Sequence, residues 1–478
     1  MFGKGRGLLL LSELVKDWPC TVKGSIGVDV LGVTERSGAV KQGDLFVARK
    51  GKADDGIFHV EEAIRRGAIA IVMDRNCKAE LSRYPTVPII TVPDGRKFLS
   101  HVSAKLSGNP SELLTIIAVT GTNGKTTVTH FVGQLLHEMG AKAAVIGTTG
   151  IYMNGEKCVM DLPDMTTLPA EYLHPLLKKC VEGGITHVIM EASSLGLSTS
   201  RLDHCDIDIG VFLNIGVDHY EEHGSKQAYL AAKQLLANLS KEIIVNQDDE
   251  ICIELVKNAS KPTYRYNVNM TADVAVPKEL YPTALLGRHN KSNAMAAVSV
   301  LMRLGYDQKE VLAHCHKLIL PEGRLQQIEH AGIKVYIDYA HTPDALQTVL
   351  QSLIEEFTDC PIITVFGCGG NRDRGKRPEM AKVAVSLSTK VMITSDNPRY
   401  EDPNAIIRDV YSGIEGESSN VFIEPNRRKA IETVIAAAKE GDIVLIAGKG
   451  HEKTQLIGGE SFHFSDYEIA KEAILGKK

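Results

Sequence analysis

No CxxC pair occurs in the 478 residues, and the nine cysteines are scattered from Cys20 to Cys368 in an odd total. That pattern argues against a secreted disulfide framework and a zinc site, and it fits reduced thiols in an intracellular enzyme. His314-Cys315-His316 is no exception: adjacent helix positions do not face one ligand point, and a surface helix is expected there. Positive charge is not in excess. With 54 Lys and Arg against 59 Asp and Glu, the net charge is −5, unlike that of most nucleic-acid binders. No stretch approaches the roughly 18 apolar residues that cross a bilayer. The apolar run after MFGKGRG stops at Ser12 and Glu13 with no small-residue cleavage site behind it, so no signal peptide is expected. What remains is a cytoplasmic protein, expected to be a monomer, whose partners are small molecules rather than nucleic acid or membrane.

What is present is a chain too long for one core, in which short apolar strands alternate with helix-length stretches. GDLFVA, AIAIVMD and VPIITV flank HVEEAIRRG in a small first domain; LSGNPSEL, residues 106–113, reads as a linker. AKAAVIGTT, THVIMEASS, IDIGVFLNI and KEIIVN then predict a parallel sheet covered on both faces. KVYIDYAHTPDAL, PIITVFGCGG, KVMITSDNPRYEDP and DIVLIAGKGHE predict another doubly wound sheet with a cleft at its strand ends. The expected fold class is α/β in three domains: residues 1–107, a central P-loop domain over 108–320, and a Rossmann-like domain over 321–478.

The most informative stretch is IIAVTGTNGKTTV, residues 116–128. A β-branched strand runs into a turn with Gly121 and Gly124, and Lys125, Thr126 and Thr127 open a helix that continues through Phe131, Leu135 and Leu136. Glycines let backbone N–H groups approach phosphate oxygens, the helix start adds partial positive charge, and Lys125 reaches the β/γ-phosphates. Thr126 is placed to hold Mg2+. The generic pattern has Gly where Val119 stands, so this is a variant loop. Glu191, closing THVIME, is the natural acidic partner for that ion, and His219 also follows a strand. Lys233 reads by spacing as a solvated helix lysine. Arg372, Arg374, Lys376 and Arg377 place four cations in six residues beside the third cleft, suited to an acid-rich substrate.

AVTGTNGKTT, MEASS, DHYEEHGS with AAK, GRLQQI, DYAHTPDAL, FGCGGNRDRGKRP, TSDNPRYEDP and GKGHE, in this order, resemble the motifs of the Mur ligase family. The closest likeness is to the members that add the third residue of the peptidoglycan peptide. The resemblance implies ATP-dependent amide formation through an acyl phosphate. It implies that Gly121, Thr122, Asn123, Gly124, Lys125, Thr126 and Thr127 hold ATP, with Asn293, Arg324, Asp338 and His341 completing the nucleotide site. Thr126, Glu191, His219 and a carbamylated Lys233 would bind Mg2+. Ser37, Thr166, Thr167, Ser193 and Arg201 would contact UDP-MurNAc-dipeptide. Arg372, Asp396, Asn397, Pro398, Arg399, Gly448 and Glu452 would receive meso-diaminopimelate, whose second carboxylate suits a guanidinium and whose ammonium suits Glu452.

The chain departs from the family pattern in places. Arg36, Ser37 and Gly38 stand where Asp-Ser-Arg is common, and Leu195 and Thr199 replace the usual His and Gln. The segment between Asn246 and GRHNKSN is short, as though a β-hairpin were missing. The alternatives to the diaminopimelate-adding activity are a related amide ligase with another acceptor or amino acid, and a P-loop ATPase that switches conformation.

Overall fold

The computed structural model describes residues 8–51, 54–76, 87–216, 220–268, 285–414, 416 and 419–477. It is α/β throughout, with one main sheet in each of three successive stretches of chain. The first has five strands in the order Thr21–Lys23, Ile89–Val92, Ala70–Asp74, Asp44–Ala48 and Gly32–Thr34, parallel except for the first pair. The stretch read as a linker is packed. Leu106 and Ser107 end the helix Gly95–Ser107, and the buried Ser111 accepts a hydrogen bond from the Asp206 N–H.

The second sheet has eight strands. Thr115–Thr120 lies between His187–Glu191 and Ile207–Phe212, and Ala143–Gly147 and Ser240–Asn246 extend it in parallel on either side. Apolar runs buried on both faces account for the parallel core, as such runs cannot present a wet face. An antiparallel hairpin, Gly150–Met153 with Glu156–Cys158, caps one edge, and Thr263–Tyr266 closes the other. The short segment between Asn246 and GRHNKSN includes residues 269–284, which lie outside the described residues.

The third sheet runs Gln326–His330, Ile333–Asp338, Ile443–Ala447, Ile362–Phe366, Lys390–Ile393 and Val421–Ile423, with only the first pair antiparallel. Inserting Ile443–Ala447 between two strands from earlier in the chain creates the switch point at which ligands bind in such sheets. Arg427, 1% exposed, locks this end. Its guanidinium donates to both Asp466 carboxylate oxygens at 2.8 and 2.7 Å, to Ala447 O at 2.9 Å and to Ser395 O at 3.3 Å, tying two strand ends together.

Two expectations need correction here. Cys315 is buried in the core rather than on a surface helix, because the helix Gln308–His314 turns its apolar side inward as it ends. Arg374 and Arg377 do not face the cleft. Arg377 is fully buried and donates to Glu401 and Asp409, and Arg374 donates to Asp409. The Arg377 hydrogen bonds hold the Glu401 carboxyl down to about 2.

His174, fully buried in the helix Ala170–Glu182, is held at about 3 by burial. The unfolded chain therefore binds a proton that the folded protein refuses, and stability is lost as pH falls below the ordinary histidine value of about 6.5. By pH 5.5 this one group costs about 1.4 kcal/mol. Urea midpoints at pH 7.5 and 5.5 should differ less in His174→Phe than in the parent.

Candidate functional site

The phosphate loop grows out of register. Glu191 pairs with Val119, and Phe212 with Thr120, so the carboxylate emerges where the chain leaves the sheet. Gly124 begins the helix Lys125–Glu138 at φ +88° with no side-chain cap, leaving the first-turn N–H groups for an anion. A β-carbon at Gly124 would lie 2.5 Å from Asn293 Oδ1, so the glycine is required and Asn293 forms the loop's back wall. Asn214 braces the other side, accepting from Asn123 N at 2.9 Å and donating to Asn123 O at 3.0 Å. Thr122 shares a hydrogen bond of 2.8 Å with Tyr229. Lys125 Nζ folds onto Gly121 O and Thr122 O, both at 2.9 Å.

Thr126 Oγ1 donates to Glu191 Oε1 at 2.9 Å, and the same oxygen accepts from Thr148 N at 2.8 Å. Glu191 is 1% exposed, an ionisable group held by the Thr126 hydroxyl of the helix start and the Thr148 amide beyond the strand Ala143–Gly147. Hydroxyl and carboxylate oxygens so placed suit a hard divalent cation such as Mg2+. His219 lies outside the described residues. Among the described residues no cluster of three or more His, Cys, Asp or Glu side chains is gathered for a metal.

Lys233 is the largest departure from the reading by spacing. It is 2% exposed, donates to Gly121 O at 2.8 Å and lies over the Tyr229 ring, because the face of the helix Lys226–Leu239 that it shares with Tyr229 and Leu236 packs beneath the loop.

Gly147 sits against Glu191 so closely that a β-carbon would fall 2.2 Å from Oε1. Gly147→Ala should therefore displace the carboxylate without unfolding the protein. Turnover is expected to fall on the order of 100-fold, with an unchanged melting temperature, as steady-state kinetics and thermal unfolding would show.

From the third sheet, Arg324 reaches across: Nη2 donates to Thr126 Oγ1 at 3.2 Å while the guanidinium lies over the Tyr339 ring. His451, burial holding it down to about 4, hydrogen-bonds to the backbone of Thr148 and stacks near Tyr339. Asp338 is turned inward. Its oxygens accept from Leu325 N and Ala340 N, both at 2.8 Å, and burial raises its pKa. It shapes the turn that presents His341, whose Nδ1 is bonded to Tyr339 O and whose carbonyl accepts from Lys376.

Beside them opens a cavity of about 570 Å³, lined among others by Arg372, Asp396, Asn397, Arg399, Gly448 and Glu452. Pro398 joins two of these. Arg399 sits at φ +54°, donates to Gly370 O at 2.8 Å, and is held below its ordinary pKa by burial and by Arg372. Glu452 is already engaged, accepting from Lys449 Nζ at 2.7 Å and Asn397 Nδ2 at 2.9 Å. Sequence reading missed Lys449, which lies inside the GKGHE motif that it singled out, and placed Tyr339 after its strand without giving it a role.

Thr166, Thr167, Ser193 and Arg201 come together at a third place. Thr167 Oγ1 donates to Glu191 O at 2.8 Å and accepts from Ser193 N at 2.9 Å; Thr166 accepts from Thr148 Oγ1 at 3.1 Å; Arg201 donates to Thr167 O at 2.6 Å. Ser37 is apart from them, its hydroxyl donating to Glu62 Oε2 at 2.8 Å.

A phosphate loop with an acid on the neighbouring strand, met by a second α/β unit that carries a pocket lined by charges of both signs, defines a nucleotide-dependent group-transfer enzyme. Residues 119–301 match the Mur ligase middle domain and residues 323–450 the Mur ligase, glutamate ligase domain. The chain belongs to the Mur ligase family. A relative from Caldanaerobacter subterraneus subsp. tengcongensis, named UDP-N-acetylmuramoyl-L-alanyl-D-glutamate–2,6-diaminopimelate ligase, is 34% identical over 97% of this chain and 98% of its own. One of the same name from Geobacter sulfurreducens is 36% identical over 95% and 96%. A solved structure with that name superimposes with a TM-score of 0.66 at 33% identity, covering 98% of this chain and 99% of its own. The MurF ligase from Thermotoga maritima in complex with ADP shares the fold, with a TM-score of 0.57 at 20% identity over 93% and 96%.

Proposed function

We propose that the protein joins meso-diaminopimelate to UDP-MurNAc-L-Ala-D-Glu in an ATP-dependent reaction, acting as a cytoplasmic monomer in peptidoglycan precursor synthesis. The observation that carries this reading is the contact of Arg324 with Thr126, which brings the third unit, with its cavity holding Arg372, Arg399 and Glu452, up to the phosphate loop's helix. The name shared by near full-length relatives supports the same acceptor and amino acid. Residues 1–107 are assigned to the UDP end of the substrate, 108–320 to ATP and 321–478 to the amino acid. No helix among the described residues is long and apolar enough to cross a membrane.

In this reading the loop from Gly121 to Thr127 receives the ATP phosphates and Lys125 swings from its own loop's carbonyls onto them. Asn293 keeps the loop in shape, while Arg324 and His341 approach from the facing unit, with Asp338 holding the turn. Mg2+, held by Thr126, Glu191, His219 and a carbamylated Lys233, would neutralise phosphate charge. The dipeptide's terminal carboxylate, steered by Thr166, Thr167, Ser193 and Arg201, attacks the γ-phosphoryl group and releases ADP. The incoming amine then attacks the acyl carbon of this acyl phosphate, inorganic phosphate leaves, and the nitrogen gives up a proton as the amide forms. Positioning and charge neutralisation suffice for a loose phosphoryl transition state.

The test is phosphate release with Mg-ATP and UDP-MurNAc-L-Ala-D-Glu in the presence of meso-diaminopimelate, L-lysine or neither, with mass spectrometry of the product. Tripeptide product and release only with diaminopimelate are expected. Equal turnover of lysine would remove the specificity assignment, and release without any amino acid would favour an ATPase. One observation favours a second acceptor: the Ser37 hydroxyl is spent on Glu62. Amino-acid-dependent release that does not need the UDP substrate would support that reading.

A further inference from the structure

The helix that opens on Lys125 and Thr126 also holds, toward its other end, the chain that crosses to the third unit. Gln134 Nε2 donates to Ile319 O at 2.8 Å, and Gln134 Oε1 accepts from Ile319 N at 2.9 Å. One side-chain amide thus pairs with both backbone groups of a single residue, as a neighbouring strand would. Glu138, one turn further along the helix, accepts from Lys317 Nζ and lies 3.3 Å from His314 Nδ1.

Packing does not hold Ile319. Its side chain is 71% exposed, and a cavity of about 370 Å³, lined among others by Leu318, Leu320 and Tyr152, opens beside it. Further on, the chain joins the third unit at Gly323, which stands at φ +69° and where a β-carbon would lie 2.1 Å from His451 N. Leu320, Pro321 and Glu322 are the residues between these two fixed points. Leu320 packs against the cores of both units. The residue after Gly323 is Arg324, whose guanidinium reaches back to Thr126. One helix therefore carries Thr126 at its start and, two turns or more along, fixes the origin of the chain that returns to it.

We propose that Gln134 is a positioning residue for the ligation: by clamping Ile319 to the phosphate-loop helix it fixes the point from which the third unit is carried, and with it the reach of Arg324 to Thr126. This rests on the function proposed above. A glutamine amide matches a backbone N–H and C=O together, whereas a carboxylate sets an oxygen against Ile319 O and a thioether offers no donor. Both hydrogen bonds lie at the surface, so losing them costs little overall stability. It frees the joint at Leu320 to Glu322, however, and a small misplacement of reacting groups is felt strongly in turnover.

The test compares the parent with Gln134→Met and Gln134→Glu, both good helix formers of similar side-chain length. Hydrogen exchange followed by mass spectrometry should rise in peptides covering residues 318–324 in both variants. Solution X-ray scattering should show a larger radius of gyration at an unchanged melting temperature. Turnover in the ligation assay should fall about 10-fold, with the diaminopimelate KM nearly unchanged because most of that cavity's lining belongs to the third unit. A role in folding alone would lower the melting temperature and leave the scattering of the folded protein as it is. Exchange and scattering like the parent's, or parental turnover in both variants, would overturn the proposal. If the parent does not ligate, the function proposed above fails, and exchange and scattering alone decide whether Gln134 sets the joint.

Discussion

Lys233→Ala is expected to abolish ligation, by a factor on the order of 1,000 or more in turnover, while ATP still binds. The physical reason begins with burial. A lysine 2% exposed beneath the phosphate loop, bonded to Gly121 O, is not a solvated surface group. Carbamylation would turn that buried ammonium into an anionic oxygen ligand and place its charge where the metal and phosphates meet. Lys233→Arg separates the two roles, since it keeps a cation and a donor but forms no carbamate. Steady-state turnover with equilibrium ATP binding reads the result. Activity in the arginine variant, or normal turnover in the alanine variant, would sink the carbamate assignment. Labelled bicarbonate followed by NMR should show a carbamate carbon in the parent alone.

Arg399→Ala is the second large effect. The guanidinium shares its cavity with Arg372, and burial together with that neighbouring charge holds it below its ordinary pKa. A carboxylate at the far end of the amino acid would compensate the Arg399 charge. Charged hydrogen bonds are worth about 1.5 to 3 kcal/mol each, so losing one or two should raise the diaminopimelate KM at least roughly tenfold. The KM for ATP should hardly move. The backbone makes this a clean comparison: residue 399 sits at φ +54°, where alanine is strained as arginine is, so the side chain alone changes. Equal rises in both KM values would take Arg399 out of the amino-acid pocket.

Much of the site was legible because its signals are local. Gly121, Gly124 and Lys125 announce a phosphate loop through the backbone conformation and charge that such a loop needs, and Glu191 follows from lying at the end of a buried strand. The hairpin at the edge of the second sheet was legible too and was passed over: Asn154-Gly155 is a strong turn signal, and both residues adopt positive φ. Other features had no local signal. Spacing cannot distinguish Lys233 from an exposed helix lysine, because burial depends on which helix face lands under the loop. The four cations from Arg372 to Arg377 look alike in sequence, yet Glu401 and Asp409, distant along the chain, draw two of them away from the cleft.

The order of strands and helices, the phosphate loop and the family were determined by the sequence itself, since periodicity, turn chemistry and motif spacing act between near neighbours. Tertiary structure alone decided that Arg324 meets Thr126, that Asn397 meets Glu452, and that Lys233 is buried against Gly121 O. Such contacts join residues from separate elements, and electrostatics and hydrogen bonding at a few ångströms depend on packing that no local pattern encodes.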